Sequence, residues 1–549
     1  MKTTHFKNGR IFTSTADGTL HDSLVIAGDK VVFVGTASDA TSHSPSEVVD
    51  LEGKVVLPGI IDAHSHLMLL GGSLTKVDCL GKSIPQIQAA IKERYESDSN
   101  ASTVLGCQFQ YDAIVELPHK KYLDEVCPDK PCIIDNSSLH SVWLNSAAMS
   151  AMGITNDTPN PKGGEFVRDE AGELTGYFRE TAVVDYVWPW VAAQTSLAQR
   201  ESMLGRVFDA YLATGVTGAV DLATVPDDLA ALEAYAAHHG RLPIRIACHW
   251  LIRPNGTDES RAAQVLEAAA HRDRLSHLAP WLSVAGIKII SDGVVDSCTA
   301  FLRDPYPNGE TPGPIWPGDE LQKVITLADS LDLQVACHAI GDAAVDQALD
   351  AFEAAIEANG PRERRRHRIE HLELVGADAI PRLARLGVVA SMQPVHADPV
   401  KVVNWDAQLA HGCRCDRKFP WKEFEDANAD VAFGSDAPTA PYHPLPNLYT
   451  ATTRLSAINP SLPDPVDERT KSLAKLCVSL ETAVRYYTAG GAYSMRADKE
   501  IGTLEPGKSA DFAVLAIDPF DGRLDSLRKA QKGVAETWVA GQKVWTKGA

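Results

Sequence analysis

The sequence predicts an α/β protein: a (β/α)8 TIM-like barrel, a small β-sandwich domain formed by both termini, and an inserted lid subdomain. Three observations carry this expectation. Eight short apolar segments alternate with Ala- and Leu-rich helical segments through the middle of the chain, the pattern of a parallel barrel. Strand-and-turn segments stand at both ends. The connection after the first barrel strand is far longer than the few residues usual between neighbouring elements.

The N-terminal strands read "HFKNGRIFTS", "DSLVIAGDKVVFVG" and "SEVVDLEGKVVLPG", with hairpin chemistry at Asn8-Gly9 and Gly28-Asp29. The C-terminal "GTLEPGKSADFAVLAID" and "AETWVAGQKVWTKG" repeat the style, so residues 1–57 and 490–549 are expected to form one β-domain. The alternative is two unrelated terminal hairpins. Residues 58–67 and 206–489 are assigned to the barrel. Its first strand leads into "PGIIDAHSH", and the others are "GVTGAVDLA" (215–223), "IRIACHWLI" (244–252), "VAGIKIISDG" (284–293), "LQVACHAIGD" (333–342), "HRIEHLELV" (367–375), "GVVASMQP" (387–394) and "VAFGSDAP" (431–438). Segments such as "DDLAALEAYAAHH" and "AAVDQALDAFEAAIEAN" supply helices between them. Residues 68–205 form the insertion over the barrel mouth. It contains a helix signal, "SIPQIQAAIKERYES", with Ser83 as N-cap, and a hairpin turning at Ala171-Gly172.

Composition narrows the function. The chain has 549 residues, 44% hydrophobic and 23% charged, with a formal net charge of −20. That balance suits a globular protein and argues against nucleic acid or an anionic membrane surface as partner. The one basic run, "RERRRHR" (362–368), reads as a solvated helix end. The ten cysteines are scattered, and the tightest pair, Cys413 and Cys415, lacks CxxC spacing. Reduced thiols and a cytoplasmic location follow from this as expectations. The N-terminus has no apolar core of signal-peptide length, and no stretch is long enough to span a membrane.

The candidate functional residues stand at the carboxyl ends of the strands, where barrels of this kind carry their sites. Strand alternation points His64 and His66 the same way, and two imidazoles on one face make half of a metal site. Lys288 lies on the fourth strand, His338 in "CHAIGD", His371 in "IEHLE" and Asp436 in "GSDAP". Any one alone is more often structural; their recurrence at equivalent places is the signal. An ion pair with Asp292 is the bland alternative for Lys288. A weaker ring comprises His140 and Glu180 in the insertion, His396 in "QPVHADP", and Arg454. These are substrate-binding candidates, with ordinary packing as the alternative for each, and Glu180 is also an alternative metal bridge.

The order HxH, Lys, His, His, Asp, the "PGIIDAHSH" opening and the "IGTLEPGKSADFAVL" tail resemble the metal-dependent amidohydrolase superfamily. The insertion motifs "LHSVWLNSAAM" and "ELTGYFRETA" look like its YtcJ-like branch, the amidohydrolase 3 group. In that branch the motif around His140 usually reads Asp-Gly-His; here it reads "SSLHSV". The resemblance implies His64 and His66 on a first metal, completed by Asp436, and His338 and His371 on a second. Lys288, carboxylated by CO2, would bridge them. It implies one or two divalent metals per chain, zinc first among zinc, iron, manganese and nickel. It implies hydrolysis of a C–N bond in a small-molecule amide, with Asp436 moving the proton, and a homodimer as a frequent assembly. The metal lowers the pKa of water toward about 7. Deamination, ester hydrolysis or decarboxylation at the same centre is the alternative within the fold. A non-catalytic binding or regulatory member is the alternative outside it.

Overall fold

Eight parallel strands build the sheet that positions the site: β1 (Ile60–Ser65), β2 (Val216–Thr224), β3 (Arg245–Leu251), β4 (Leu282–Ile290), β5 (Gln334–Ala339), β6 (Arg368–His371), β7 (Val389–Met392) and β8 (Val431–Phe433). They pair in chain order. A parallel bridge from Ser65 to Ala437 brings the last strand back to the first. Two backbone bonds reinforce it: His66 N–H donates to Ala437 O at 3.0 Å, and Asp436 N–H donates to His64 O at 2.7 Å. The sheet is thus a nearly closed barrel, sealed where the first histidines and Asp436 emerge. The structure, a computed structural model, describes residues 2–97, 102–114, 116–137, 139, 141–161, 164–363, 365–409, 415–462 and 473–548.

Strands buried on both faces cannot alternate apolar with polar, and these do not. The segment RIACHWL of β3 is buried at every position but the last. Close strand approach explains Gly286, where an added Cβ would meet Gln334 O at 1.8 Å. The connecting helices carry their own signals. Helix Pro226–His239 opens on Pro226, Asp227 and Asp228, ends on His238 and His239, and is closed by Gly240 at φ 82°. Ile61, Val220, Leu222, Ala247 and Ala336 form an apolar layer completed by Ala492, Met495 and Ile501. Residues 490–501 fall on the terminal-domain side of the sequence-derived boundary, yet their apolar side chains pack with the barrel.

The terminal β-domain has two sheets. Thr3–Lys7, Ser23–Ala27, Lys30–Gly35 and Glu47–Asp50 make the four-stranded one. In the six-stranded one, Val55–Pro58 pairs antiparallel with Phe512–Leu515, joining the two ends of the chain. Their shared core includes Phe6, Ile26, Val56, Phe512 and Val514. Phe6 sets its edge against Phe512 and Trp538 at 5.2 and 5.1 Å.

Leu67–Val207 is a separate compact unit. It holds a six-stranded mixed sheet covered on both faces. Ile134, Trp143 and Tyr177 face one core, and Ile133, Val142, Leu144 and Phe178 face the other, as a period of two requires. Helix Ile84–Ser97 starts at Ser83, whose backbone N–H donates to Gln86 Oε1 at 2.9 Å. The hairpin of Gly164–Arg168 and Leu174–Glu180 turns through Gly172 at φ 83°. Among the described residues, no helix is long and apolar enough to cross a membrane, and the described cysteines are all free thiols.

Candidate metal centre

His64 is in β1 and His66 follows it; their rings lie 5.5 Å apart. Asp436 follows β8 at φ 57°. Its Oδ1 lies 3.2 Å from His64 Nε2 and 3.0 Å from His66 Nε2. The opposite nitrogens fix the proton positions. His64 Nδ1 lies 2.7 Å from Glu370 Oε2, and His66 Nδ1 lies 2.7 Å from Leu222 O. Neither oxygen can donate, so each Nδ1 carries the hydrogen and each Nε2 presents a lone pair. With both rings neutral, three acceptors converge with no donor between them; at His66 burial is outweighed by the Asp436 carboxylate, which raises the imidazole pKa. Both His64 Nε2 and Asp436 Oδ1 are buried without a hydrogen-bond partner. Unpaired buried acceptors are costly, and a cation is the complement they lack. Two imidazoles and a carboxylate are a donor set that fits a divalent metal.

His371, at the end of β6, brings a third imidazole. Donor atoms of His64, His371 and Asp436 all lie within 4.8 Å of one another. The His371 ring is 4.7 Å from that of His64 and 4.5 Å from that of His338, and its Nδ1 lies 2.9 Å from Gln393 Oε1. Burial, with His338 and His64 alongside, holds His371 well below the usual imidazole range, so it is neutral. Burial pushes the Asp436 carboxyl up, but His64 and His66 outweigh it and hold the group well below the carboxylate range. His338 Nε2 faces Gly293 O at 3.2 Å and Asp292 Oδ1 at 3.3 Å, so Nδ1 is the nitrogen that could bind a metal.

Lys288 is 2% exposed, and its Nζ makes no hydrogen bond. Burial pushes this ammonium below its ordinary value. The ion pair with Asp292 is not formed. Asp292 instead accepts from the N–H groups of Ile340 (3.1 Å), Gly341 (2.8 Å) and Phe301 (3.1 Å).

Of the weaker candidates, His396 joins the cluster. Its Nδ1 lies 3.1 Å from Glu373 Oε1 and its Nε2 lies 3.4 Å from Asp436 Oδ2, an oxygen that also accepts from Thr439 Oγ1 at 2.9 Å. Arg454 has a structural place: its guanidinium stacks over Trp421 at 3.6 Å and donates to the carbonyls of Lys418 and Phe419. Glu180 ends strand Leu174–Glu180 of the other compact unit, at φ 52°. His140 lies outside the described residues.

Four residues of the centre go unflagged by sequence reasoning: Glu370, Gln393, Asp62 and Arg368. Asp62 accepts from Ser435 N–H at 2.8 Å, Ser435 Oγ at 2.6 Å and Tyr211 OH at 3.0 Å, tying β1 to the turn that carries Asp436. Burial pushes its pKa up to about 6. Arg368 belongs to the basic run expected to be solvated, yet it is 0% exposed and donates to Glu370 Oε1 at 2.7 Å. The available signal is its spacing: Arg368 and Glu370 are two apart on an apolar strand, hence on one face.

The sequence profile of the Amidohydrolase family matches residues 47–545. The chain belongs to the amidohydrolase family. Among relatives, it is 30% identical to Protein LONG AFTER FAR-RED 3 of Arabidopsis thaliana, over 98% of this chain and 91% of that one. It is 28% identical to the putative amidohydrolase YtcJ of Bacillus subtilis, over 98% of both. It is also 28% identical to an N-substituted formamide deformylase of Arthrobacter pascens, over 97% of this chain and 96% of that one. A crystal structure of an uncharacterized metal-dependent hydrolase from Pyrococcus horikoshii superposes with a TM-score of 0.76 at 26% identity, covering 95% of this amidohydrolase and 99% of that chain. The YtcJ-like resemblance and the barrel fold are therefore both found, in a family of metal-dependent hydrolases.

Proposed function

We propose that this amidohydrolase hydrolyses a C–N bond of a small-molecule amide at a divalent metal centre, most simply zinc. The observation that carries the reading is the convergence of His64 Nε2, His66 Nε2 and Asp436 Oδ1, three acceptors without a donor. These atoms, with His371, would hold the metal. His338 and a carboxylated Lys288 would extend the site to a second one. A metal bound there supplies Lewis acidity, polarising the scissile carbonyl and lowering the pKa of water. The protein's own residues do the rest. Asp436 Oδ2, held by Thr439 Oγ1, receives the proton of the attacking water and returns it to the leaving amine. His396, braced by Glu373, stands beside that oxygen to orient the substrate carbonyl. Burial favours the neutral Lys288 amine. That amine can attack CO2, forming an N–C bond and releasing one proton to give an anionic carbamate. The name of the Arthrobacter relative supports an amide over an ester.

The test uses metal-loaded protein and a panel of N-substituted formamides, larger amides, esters and amino-heterocycles. Amine release from an amide, lost in Asp436→Asn, is the expected outcome. Turnover confined to esters or amino-heterocycles contradicts the C–N amide assignment.

A further inference from the structure

The two histidines of the β1 motif are held by different partners. His66 Nδ1 donates to a neutral backbone carbonyl, that of Leu222, at 2.7 Å. His64 Nδ1 donates to a carboxylate, Glu370 Oε2, at 2.7 Å. Glu370 is 0% exposed, and a carboxylate in such a place must be paired. Arg368 pairs with it from two residues away on the same strand, at 2.7 Å to Oε1 and 3.1 Å to Oε2. The same guanidinium donates to Ala63 O at 2.5 Å and to Ser391 Oγ at 2.8 Å. One buried ion pair thus grips both the ring of His64 and the peptide unit that precedes it, while anchoring to β7.

We propose that Arg368 and Glu370 are positioning residues that set the metal affinity of the centre through His64. Glu370 fixes the tautomer that turns the Nε2 lone pair toward Asp436 Oδ1, and its negative charge makes that nitrogen a stronger donor. Arg368 keeps Glu370 ionised and aimed. The closure of the barrel at His64 and Asp436 transmits this placement to the other ligands. Glu370 Oε2 is shared between the Arg368 fork and His64 Nδ1, with the shorter contact to His64, and an arginine present only for packing would not clasp Ala63 O.

This inference rests on the metal-centre reading, and the two fail differently. Zinc affinity of the metal-free full chain is measured by competition with a chromophoric chelator, alongside its thermal unfolding midpoint. Glu370→Gln keeps the shape and removes the charge. It is expected to weaken zinc binding by about 10–100-fold. In a His64→Ala background the same substitution is expected to have almost no further effect, because its route to the metal is gone. A role confined to holding the barrel would lower the unfolding midpoint and add to His64→Ala undiminished. Unchanged affinity in Glu370→Gln, or an equal loss in both backgrounds, overturns the proposal. Should Glu370→Gln not fold, Glu370→Asp keeps the charge for Arg368 but draws the oxygen back from His64. It is read by the same titrations with the same expectations. A wild-type chain that takes up no zinc removes the metal-centre reading itself, and this proposal with it.

Discussion

Asp436 divides its two oxygens between two tasks. Oδ1 faces His64 and His66, and Oδ2 faces Thr439 and His396. Asp436→Asn keeps the shape but loses the base, so kcat on the best amide is expected to fall by about 10²–10⁴-fold. Steady-state kinetics of metal-loaded variant and wild type check this. Lys288 behaves differently, being buried with no hydrogen-bond partner. If its carbamate bridges two metals, Lys288→Ala retains the histidine and aspartate ligands and loses about one equivalent of bound metal. Elemental analysis of wild type and variant grown with bicarbonate reads that difference. An unchanged metal content would remove the bridge and leave Lys288 a buried amine without a role.

At the scale of elements, the centre depends on how β1, β6 and β8 end. The turn after β8 runs so close to β1 that a Cβ on Gly434 would lie 2.4 Å from His64 N and 2.8 Å from His64 Cβ. Backbone cannot yield as a flexible side chain does. Gly434→Ala is therefore expected to destabilise the fold by about 1–3 kcal/mol and to lower metal uptake with it. Thermal unfolding and metal content, measured on one preparation, test both effects. These strand ends also explain what the sequence concealed. The candidate residues at the strand ends are legible because His, Lys and Asp recur at one position of a repeating unit. Glu370 is not, because alternation assigns neighbours on a strand to opposite faces. His371 at φ 77° and Leu372 at φ 52° break that alternation, and Glu370 and His371 both reach His64. Gln393 carries no charge to draw notice, and its amide sits between His371 Nδ1 at 2.9 Å and His64 Nδ1 at 3.2 Å. The basic run misleads because its spacing to Glu370 matters more than its net charge.

At the largest scale, strands from the two distant ends of the chain share one sheet, and their strand character is legible from turn chemistry and pattern. The fate of residues 490–501 is not, because only tertiary packing distinguishes a small apolar residue in a barrel layer from one at a domain edge. The barrel interior also sets the acid response. His249, 0% exposed and hydrogen-bonded to Gln334 Oε1 at 3.0 Å, is pushed by burial from 6.5 down to about 3. Between those values the unfolded chain binds a proton that the folded chain does not. Stability from this group is present above about pH 6.5 and is lost as pH falls toward 3. Lowering the pH from 7.5 to 5 is expected to cost about 2 kcal/mol through His249 alone. His249→Asn should flatten the pH dependence of the urea-unfolding free energy by that amount, and an unchanged dependence would contradict the assignment.

The convergent acceptors of His64, His66, His371 and Asp436 are expected to hold a divalent metal. The most direct test is elemental analysis of the purified wild-type chain, expressed with bicarbonate and without chelators. Tightly bound zinc or a similar ion is expected at about one to two equivalents per chain, two where Lys288 bridges. A folded chain that carries no metal, and takes up none when zinc is added, would contradict this expectation.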